Sequence, residues 1–456
     1  MSILPQLVAP ADAMFLLPET REQPMHVGSL QLFETPPGAG PDFLSGLYRE
    51  ALAVPDVAPV FRKRPVRSLR TLGQLAWEHD AAIDLEHHVR HSSLPRPGRI
   101  RELLALASRL HGTLLDRKRP LWEIHLIEGL EDGRFAVYTK LHHALMDGVS
   151  GLRLLERSLS TDPDARDVAM PFAARPHMPR SASFDPLGML TQGARAAGDL
   201  IGLVPRVAHL TEQAVLRQGA ALPGQAPRSI LNVPITGSRR FAADSWSLDR
   251  VRVLAKAADA TVNDVILAMS SGALREYLLS LNALPDASLI AMTPVSLRAG
   301  DNEEGGNAVG AILASLGTDL ADPEARMHAV RESMRKGKAM LEGLSPLQIT
   351  AVSAAMMSPL AINTLLGVSR FVRPPFNLVI SNVPGPRSTL YWNGSRLDGM
   401  YPLSIPTSGQ ALNITVTSYL DRLQFGLTGC RRSLPHLQQL LTGLESSLSD
   451  LEKAFL

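Results

Sequence analysis

The residues most able to do chemistry lie in the run HHALMDG, from His142 to Gly148. The run follows a strand-like segment, so a rigid element is expected to present a histidine to a cleft. A neutral imidazole can accept a proton near physiological pH and return it in the same cycle. Asp147 can orient the loop, pair with an arginine, or cap the helix that begins near Gly148. Gly148 is expected to permit a backbone geometry that other residues resist.

Other interpretations of these residues stay open on spacing alone. The histidines could be hydrogen-bonded core residues, with Asp147 acting only as a helix cap. His142, His143 and Asp147 could bind a metal ion, but adjacent residues seldom converge on one ion and no further ligand is evident, so we expect no metal. A serine hydrolase is not supported, because the chain has no G-x-S-x-G elbow. It also lacks a P-loop, a G-x-G-x-x-G and an H-E-x-x-H motif.

Composition sets further bounds on function. The chain has 456 residues, of which 45% are hydrophobic and 20% charged, and this is an ordinary globular composition. A net charge of +2 does not suggest a dedicated nucleic-acid binder. The single cysteine, Cys430, excludes an intramolecular disulfide and a multi-cysteine metal site. The N-terminal sequence has no basic region of the secretory type, so we expect a cytoplasmic protein that is not secreted.

The elements around HHALMDG divide the chain into two halves. Residues 1–165 form the first half, residues 166–235 a crossover linker with helices, and residues 236–456 the second half. The linker is bounded by segments rich in Pro, Gly, Ser and Arg. Each half mixes strands and helices without strict β-α alternation, which predicts α+β sandwiches with mixed sheets.

Several elements are predicted by their periodicity. The predicted strands include residues 134–143 and 376–383, and a hairpin of residues 411–420 and 423–430 around Asp421-Arg422. The predicted helices include residues 148–159, 261–280 and 434–455.

Two stretches are candidates for membrane contact. Residues 343–369 carry no charge and are long enough to cross a bilayer. They contain two prolines and several polar side chains, which favours buried helices or a surface that contacts lipid over a spanning helix. Residues 186–218 mix apolar residues with arginine and could lie on an anionic membrane, although an ordinary amphipathic helix explains the same pattern.

HHALMDG matches the H-H-x-x-x-D-G signature of the acyltransferase superfamily that includes chloramphenicol acetyltransferases, carnitine acyltransferases and peptide-synthetase condensation domains. Over nearly its whole length the chain resembles the bacterial wax ester synthase/acyl-CoA:diacylglycerol acyltransferases. The matching segments, in order, are PMHVGSLQLFE (24–34), DRKRPLWEIHLIEGL (116–130), LNVPITGSRRFA (231–242), TVNDVILAMSSGALREYL (261–278), PVSLR (294–298), GGNAVG (305–310), FNLVISNVPGPR (376–387) and ALNITVTSYLDRLQFGLTGCR (411–431).

The resemblance implies two chloramphenicol acetyltransferase-like halves with the active-site channel between them. It implies transfer of a long acyl chain from acyl-CoA to a fatty alcohol or to diacylglycerol. Acyl-CoA is then a substrate, no cofactor is expected, and contact with a membrane or lipid-droplet surface is a further expectation. Alternatives are another acceptor, a carrier-protein donor, or a lipid-binding protein without catalysis.

The resemblance also implies roles for individual residues of HHALMDG. His143 is the general base, which takes the proton of the alcohol hydroxyl. His142 packs or hydrogen-bonds within the loop. Asp147 is structural and pairs with an arginine, for which Arg298 is the candidate and Arg62 and Arg64 are rivals.

Three further motifs match the family. Asn263 and Asp264 open a helix of the second half, where they support the reaction centre or act as a local cap. Trp122, in Pro-Leu-Trp, is expected to pack or to line the substrate tunnel. The S-N-V-P-G-P turn is expected near the substrate channel, with Asn382 or a nearby backbone N–H as a candidate oxyanion donor. The residues of this turn that we assign to substrate binding are Ser381, Asn382, Pro384 and Gly385.

Overall fold

The computed structural model describes residues 6–67, 71, 73–174, 223–297, 308–345, 348–349, 352–353, 356 and 373–456. Within these residues the chain forms two large mixed sheets, each covered by helices, and one small antiparallel sheet. The predicted fold class, α+β with mixed sheets in two halves, is confirmed. Of the linker, residues 175–222 lie outside the described residues.

The strands and helices have the following bounds. The strands are β1 (Gln6–Leu7), β2 (His26–Phe33), β3 (Lys63–Arg67), β4 (Leu75–His79), β5 (Val89–Ser93), β6 (Trp122–Glu128), β7 (Phe135–His142), β8 (Arg239–Ser247), β9 (Ile290–Leu297), β10 (Ala308–Ser315), β11 (Leu378–Val383), β12 (Tyr391–Trp392), β13 (Ser395–Leu403), β14 (Leu412–Tyr419) and β15 (Arg422–Cys430). The helices are α1 (Pro10–Leu16), α2 (Phe43–Leu52), α3 (Leu85–His88), α4 (Ile100–His111), α5 (Gly148–Arg157), α6 (Leu248–Ala257), α7 (Val262–Ser280), α8 (Pro323–Leu341) and α9 (Gln439–Phe455).

The first large sheet carries the strand that leads into HHALMDG. Its spatial order is β12-β13-β2-β7-β6-β5, with β5 parallel to β6 and the other neighbours antiparallel. Every residue of β7 is buried, because the strand is central and covered on both faces. One face of the sheet, with Phe33, Trp122 and Phe135, packs in one apolar core with residues of α2 and α5. The other, with Leu30 and Tyr138, packs with Leu103 and Ala107 of α4.

The second large sheet has the order β10-β9-β11-β14-β15-β8. In this sheet β11 is parallel to both of its neighbours, β9 and β14. The other neighbouring pairs are antiparallel. One face is covered by α6 to α9, and α7 is buried around most of its circumference. Apolar residues occupy most sides of α7 rather than one stripe, because α8 and α9 contact it and its buried residues share one apolar core with the sheet.

The second half of the sequence donates a strand to the first sheet. β13 comes from the second half of the sequence, yet it pairs antiparallel with β2 in the first sheet, with Tyr401 opposite Leu30 and Leu403 opposite Gly28. β12 extends the same edge. Residues 391–403 therefore belong to the first half in space, which a single division of the chain near residue 236 does not anticipate.

At this crossing the two sheets approach closely. β15 of the second sheet contacts β13 of the first, and Gly426 lies against the backbone of Pro402. A Cβ on Gly426 would collide with the Pro402 carbonyl oxygen. Glycine is thus required here by the distance between two backbones.

Several predicted boundaries need correction. The hairpin turns at Leu420-Asp421, one residue earlier than predicted, because Tyr419 pairs with Arg422 and Leu420 adopts φ 53°. The final helix begins at Gln439, since the residues from Leu434 onward form turns first.

The predicted membrane-contact stretches lie mainly outside the described residues. Residues 186–218 fall outside entirely, and of residues 343–369 only 343–345, 348–349, 352–353 and 356 are described. In the described ranges, no helix has the length and apolar character needed to cross a bilayer.

The close approach at Gly426 generates a stability prediction. We expect Gly426→Ala to lower the free energy of unfolding by at least about 1–3 kcal/mol, because an overpacked site forces the backbone to move. Urea denaturation followed by far-UV circular dichroism measures this. Gly46→Ala is the matched control, since Gly46 lies within α2 with no atom near its Cβ position, and there alanine should stabilise by about 0.5–1 kcal/mol. Equal stabilities for the two variants would contradict the close approach.

Candidate functional site

The HHALMDG run forms a tight turn at the end of β7. The His142 N–H donates to the Leu121 carbonyl at 3.0 Å, and the His143 N–H donates to the Met25 carbonyl at 2.9 Å. The Leu145 N–H closes the turn on the His142 carbonyl at 2.9 Å. The backbone of both histidines is therefore fixed by the segments that precede β2 and β6.

His143 is partly exposed, and the surroundings of its ring lower its pKa. Burial, which outweighs the nearby Asp147 carboxylate, lowers the pKa of His143 to about 4. A neutral imidazole carries one N–H and one nitrogen that can accept a proton. At neutral pH this imidazole is uncharged and able to take a proton.

His142 has a different environment, although it is adjacent in sequence. Its side chain is fully buried, and its Nδ1 accepts the Ala144 N–H at 3.0 Å. Because Nδ1 is an acceptor, the ring proton of neutral His142 must be on Nε2. That Nε2 lies 3.3 Å from Oε1 of Glu19. His142 thus braces the turn, in agreement with the packing role predicted for it.

Glu19 is a site residue that sequence reasoning missed. Its side chain is 2% exposed; Oε1 accepts the Met25 N–H at 3.0 Å, and Oε2 accepts a hydrogen bond from Arg117 at 2.9 Å. Burial raises the pKa of Glu19, but the His142 hydrogen bond and charge, the Met25 N–H and Arg117 together lower it below its usual value. One carboxylate therefore holds His142 and the segment that leads into β2. The sequence offers little sign of this, because Glu19 follows α1 without any motif.

Asp147 and Gly148 begin α5. Asp147 is exposed and caps the helix, since its carboxylate accepts the Ser150 N–H at 2.7 Å. The helix-cap interpretation is thus seen directly. The expected special backbone at Gly148 is wrong, because its φ is not positive and a Cβ there would meet open space. The predicted partner of Asp147, Arg298, lies outside the described residues.

The rival arginines have other partners. Arg62 pairs with Asp56 at 3.0 Å, and Arg64 pairs with Glu78 at 2.6 Å. Both interactions hold β3 and its surroundings, so neither arginine is seen to engage Asp147.

Trp122 is a core residue. Its side chain is fully buried, its indole N–H donates to the Phe61 carbonyl at 2.8 Å, and its ring stacks on His88 and on Phe172. These contacts support packing over the tunnel-wall role. The same motif still serves the site, because the neighbouring Leu121 carbonyl binds the His142 N–H.

Asn263 and Asp264 lie in the first turn of α7. Thr261 is the N-cap, and Asp264 completes a capping box by accepting the Thr261 N–H at 2.9 Å and its hydroxyl at 2.7 Å. The local cap is therefore present. Oδ1 of Asp264 is buried without a hydrogen-bond partner among the described residues, and Asn263 is partly exposed.

The S-N-V-P-G-P turn lies at the end of β11 in the second sheet. Ser381 and Asn382 are partly exposed and Pro384 is exposed, so their side chains are accessible. Gly385 is packed against β14: its N–H donates to the Ser418 hydroxyl at 3.0 Å, and a Cβ would collide with the Ser418 carbonyl oxygen. The turn is thus rigid. The substrate and oxyanion roles of its residues stay predictions.

Buried charged side chains lie on β6 and β7 of the first sheet, close to α4. Lys140 is fully buried and donates to the Leu110 and Thr113 carbonyls, and its Nζ lies 2.9 Å from Glu123. Burial raises the pKa of Glu123, but hydrogen bonds and charge from His125 and Lys140 lower it to about 2. Among the described residues, no group of three His, Cys, Asp or Glu side chains is arranged to hold a metal ion.

The Glu19 contacts generate a second stability prediction. We expect Glu19→Ala to cost about 1–3 kcal/mol, because it leaves the Met25 N–H without its acceptor and removes the carboxylate beside the buried His142 ring. Glu19→Gln should cost less, since an amide oxygen still accepts. Urea denaturation measures both, with exposed Glu22→Ala as the control within about 0.5 kcal/mol of wild type.

The cost of Glu19→Gln should also depend on pH. The pKa of Glu19 is lower in the folded state, so its charge stabilises the fold above the unfolded pKa near 4.5, and this contribution is lost as pH falls through the folded pKa. The gap between wild type and Glu19→Gln should therefore shrink below pH 4.5. A pH-independent gap would contradict the buried ion pair.

Comparison with known proteins agrees with this geometry. A putative diacylglycerol O-acyltransferase of Mycobacterium tuberculosis is 51% identical over 447 residues, covering 98% of this chain and 99% of that protein. The solved wax ester synthase/diacylglycerol acyltransferase of Marinobacter aquaeolei superposes with a TM-score of 0.78 at 40% identity, covering 98% of this chain and 99% of the other. The first condensation domain of the calcium-dependent antibiotic synthetase shares the fold, with a TM-score of 0.60 at 17% identity over 99% and 96% of the two chains.

Two family models cover most of the sequence. Residues 8–266 match the wax ester synthase/diacylglycerol acyltransferase catalytic domain, and residues 305–452 match the C-terminal domain of the same family. The predicted family and the predicted enzyme class, an acyltransferase, are both confirmed. The chain belongs to the wax ester synthase/diacylglycerol acyltransferase family.

Proposed function

We propose that this chain transfers a long acyl group from acyl-CoA to the hydroxyl of diacylglycerol or of a fatty alcohol. The relatives that support this are named for diacylglycerol acylation and for wax ester synthesis. The observation that carries the proposal is His143: a neutral, partly exposed imidazole with one nitrogen free to accept a proton, fixed at the end of a buried strand.

The proposed reaction is a direct transfer. The free ring nitrogen of His143 removes the proton of the acceptor hydroxyl as its oxygen attacks the thioester carbonyl. The tetrahedral intermediate then collapses, the C–S bond breaks, and the CoA thiolate takes the proton from the imidazolium. Each cycle returns His143 to its neutral form.

An acyl-enzyme on cysteine is not supported by the position of Cys430. Its thiol is fully buried in β15, where it accepts hydrogen bonds from the Thr236 N–H and the Ser433 hydroxyl. The hydrogen bonds lower the pKa of Cys430 to about 7, against burial, which raises it. A thioester substrate has no access to a side chain packed in this way, which favours direct transfer.

The test is thiol release from palmitoyl-CoA with hexadecanol or diacylglycerol as acceptor. We expect acceptor-dependent release by wild type and a loss of at least about 10²–10⁴-fold in His143→Ala, because general-base catalysis contributes about that much. His328→Gln is the matched control, as His328 is 53% exposed on α8 and faces Glu324. It should keep wild-type rates.

Several outcomes would change the proposal. Near-normal turnover by folded His143→Ala would refute the base. Release with a carrier-protein donor only, or with neither acceptor, would indicate another donor or acceptor. Saturable lipid binding without any turnover would favour a lipid-binding protein.

We further propose that the enzyme contacts a lipid surface through its N-terminal segment, since its acceptors partition into lipid. Leu7, Met14 and Leu17 are each more than half exposed, although they are large and apolar. Met14 and Leu17 lie about one turn apart, at the end of α1, and so share a face. Apolar side chains on a short helix can enter the headgroup region of a bilayer.

Flotation with phosphatidylglycerol/phosphatidylcholine vesicles tests this contact. We expect the double change Met14→Ser and Leu17→Ser to reduce the vesicle-bound fraction several-fold, because burying each such side chain in an apolar phase contributes about 1.5–3 kcal/mol. Leu279→Ser is the matched control, as Leu279 is 49% exposed on α7. Equal binding by the two variants would exclude this surface.

A further inference from the structure

The ring of Phe15 lies directly on the ring of His143. The ring centroids are 3.8 Å apart, and the planes differ by 18°. Both residues are partly exposed, and Phe15 also packs against the small apolar core that contains Leu121 and Ala144. Neither HHALMDG nor the other motifs of the sequence includes Phe15.

Phe15 is held in place by its neighbours. The next residue, Leu16, is fully buried in a small core with Trp77, Leu121 and Ala144. Arg117, which pairs with Glu19, also donates to the Leu16 carbonyl. The end of α1 therefore cannot swing away from the catalytic turn without breaking buried contacts.

Residues 15–25 act together as a strap over the turn. Met25 accepts the backbone N–H of His143, and Glu19 holds His142. These contacts fix the backbone and the neighbouring side chain, but they leave the His143 ring free to rotate about χ1 and χ2. Among the residues that the structure describes, the stack on Phe15 is the ring contact that restrains the His143 imidazole itself.

A stacked phenyl ring has two physical effects on an imidazole. It covers one face of the imidazole and holds the ring in one plane, so the acceptor nitrogen has a fixed direction. The rate of proton transfer falls steeply when this alignment is lost. It also removes water from that face, which favours the neutral ring.

We propose that Phe15 is a positioning residue for acyl transfer: it holds the His143 imidazole in the plane from which its free nitrogen meets the acceptor hydroxyl, and it excludes water from the ring. This inference rests on the proposed function, because it assigns His143 the role of base.

Kinetic variants test the positioning. Phe15→Leu keeps an apolar side chain and removes the ring, so we expect kcat to fall about 10-fold or more while KM for both substrates changes less than about 2-fold. Phe15→Tyr keeps the ring and should retain most of kcat. Phe455→Leu is the matched control, because Phe455 is a half-buried phenylalanine near the ring of His328, and it should leave kcat unchanged.

The pH profile separates positioning from a loss of fold. His143 must be neutral to accept a proton, so activity is lost as pH falls through its pKa, about 4 in the wild type. Phe15→Ala admits water to the ring, which should raise that pKa toward 6.5 and move the acid limb of kcat/KM to higher pH. A structural defect alone would lower the amplitude and leave the limb in place.

NMR titration of labelled histidine gives the same answer without turnover, with His143→Gln used for the assignment. An unchanged His143 pKa in Phe15→Ala, or an unchanged kcat in Phe15→Leu, would overturn the inference. If wild type shows no turnover, the proposed function fails, and the titration still decides whether Phe15 controls the His143 ring. If Phe15→Leu does not fold, full retention of kcat and pKa in Phe15→Tyr supports the inference, and their loss overturns it.

Discussion

The pairing of β13 with β2 is the constraint on which the rest of the structure depends. Through it, a strand from late in the sequence completes the sheet that carries the HHALMDG turn. The crossing is also tied to the second sheet, because the Ser404 N–H donates to the Thr428 hydroxyl and Gly426 allows β15 to approach the Pro402 backbone. The first sheet is therefore complete only when residues 391–403 of the second half join it. This long-range pairing sets where the two sheets meet.

A line of buried polar groups connects that crossing to the site. His111, at the end of α4, donates to the Ser404 carbonyl through Nε2 at 2.8 Å and accepts from the Tyr138 hydroxyl at 2.9 Å. Its own carbonyl accepts from His26, which is paired with His142 across the strands. Burial lowers the pKa of His111 to about 3, so the ring stays neutral. Such hydrogen-bonded buried groups are costly to disturb, which favours one register of the strands around the turn.

The two adjacent histidines illustrate how environment divides roles between identical side chains. His142 is fully buried; its Nδ1 accepts the Ala144 N–H, and its Nε2 lies 3.3 Å from Glu19. His143 is partly exposed, and Phe15 covers one face of its ring. His142 is the last residue of β7, whereas His143 begins the turn, where the backbone leaves the sheet. The first histidine thus supports the turn, and the second is available for chemistry.

The sequence by itself determined the family, the fold class and the identity of the candidate base, because contiguous motifs and local periodicity are properties of neighbouring residues. It also indicated the helix cap at Asp147 and a local cap at Asn263-Asp264, although the N-cap of that helix is Thr261, with Asp264 as its capping-box partner. Only the tertiary structure revealed Phe15 and Glu19 at the site. Both lie more than 120 positions before His143, outside any motif, and packing alone brings them to it. The pairing of β13 with β2 was likewise visible only in the structure, because strand partners distant in sequence are selected by the shape and burial of the whole fold.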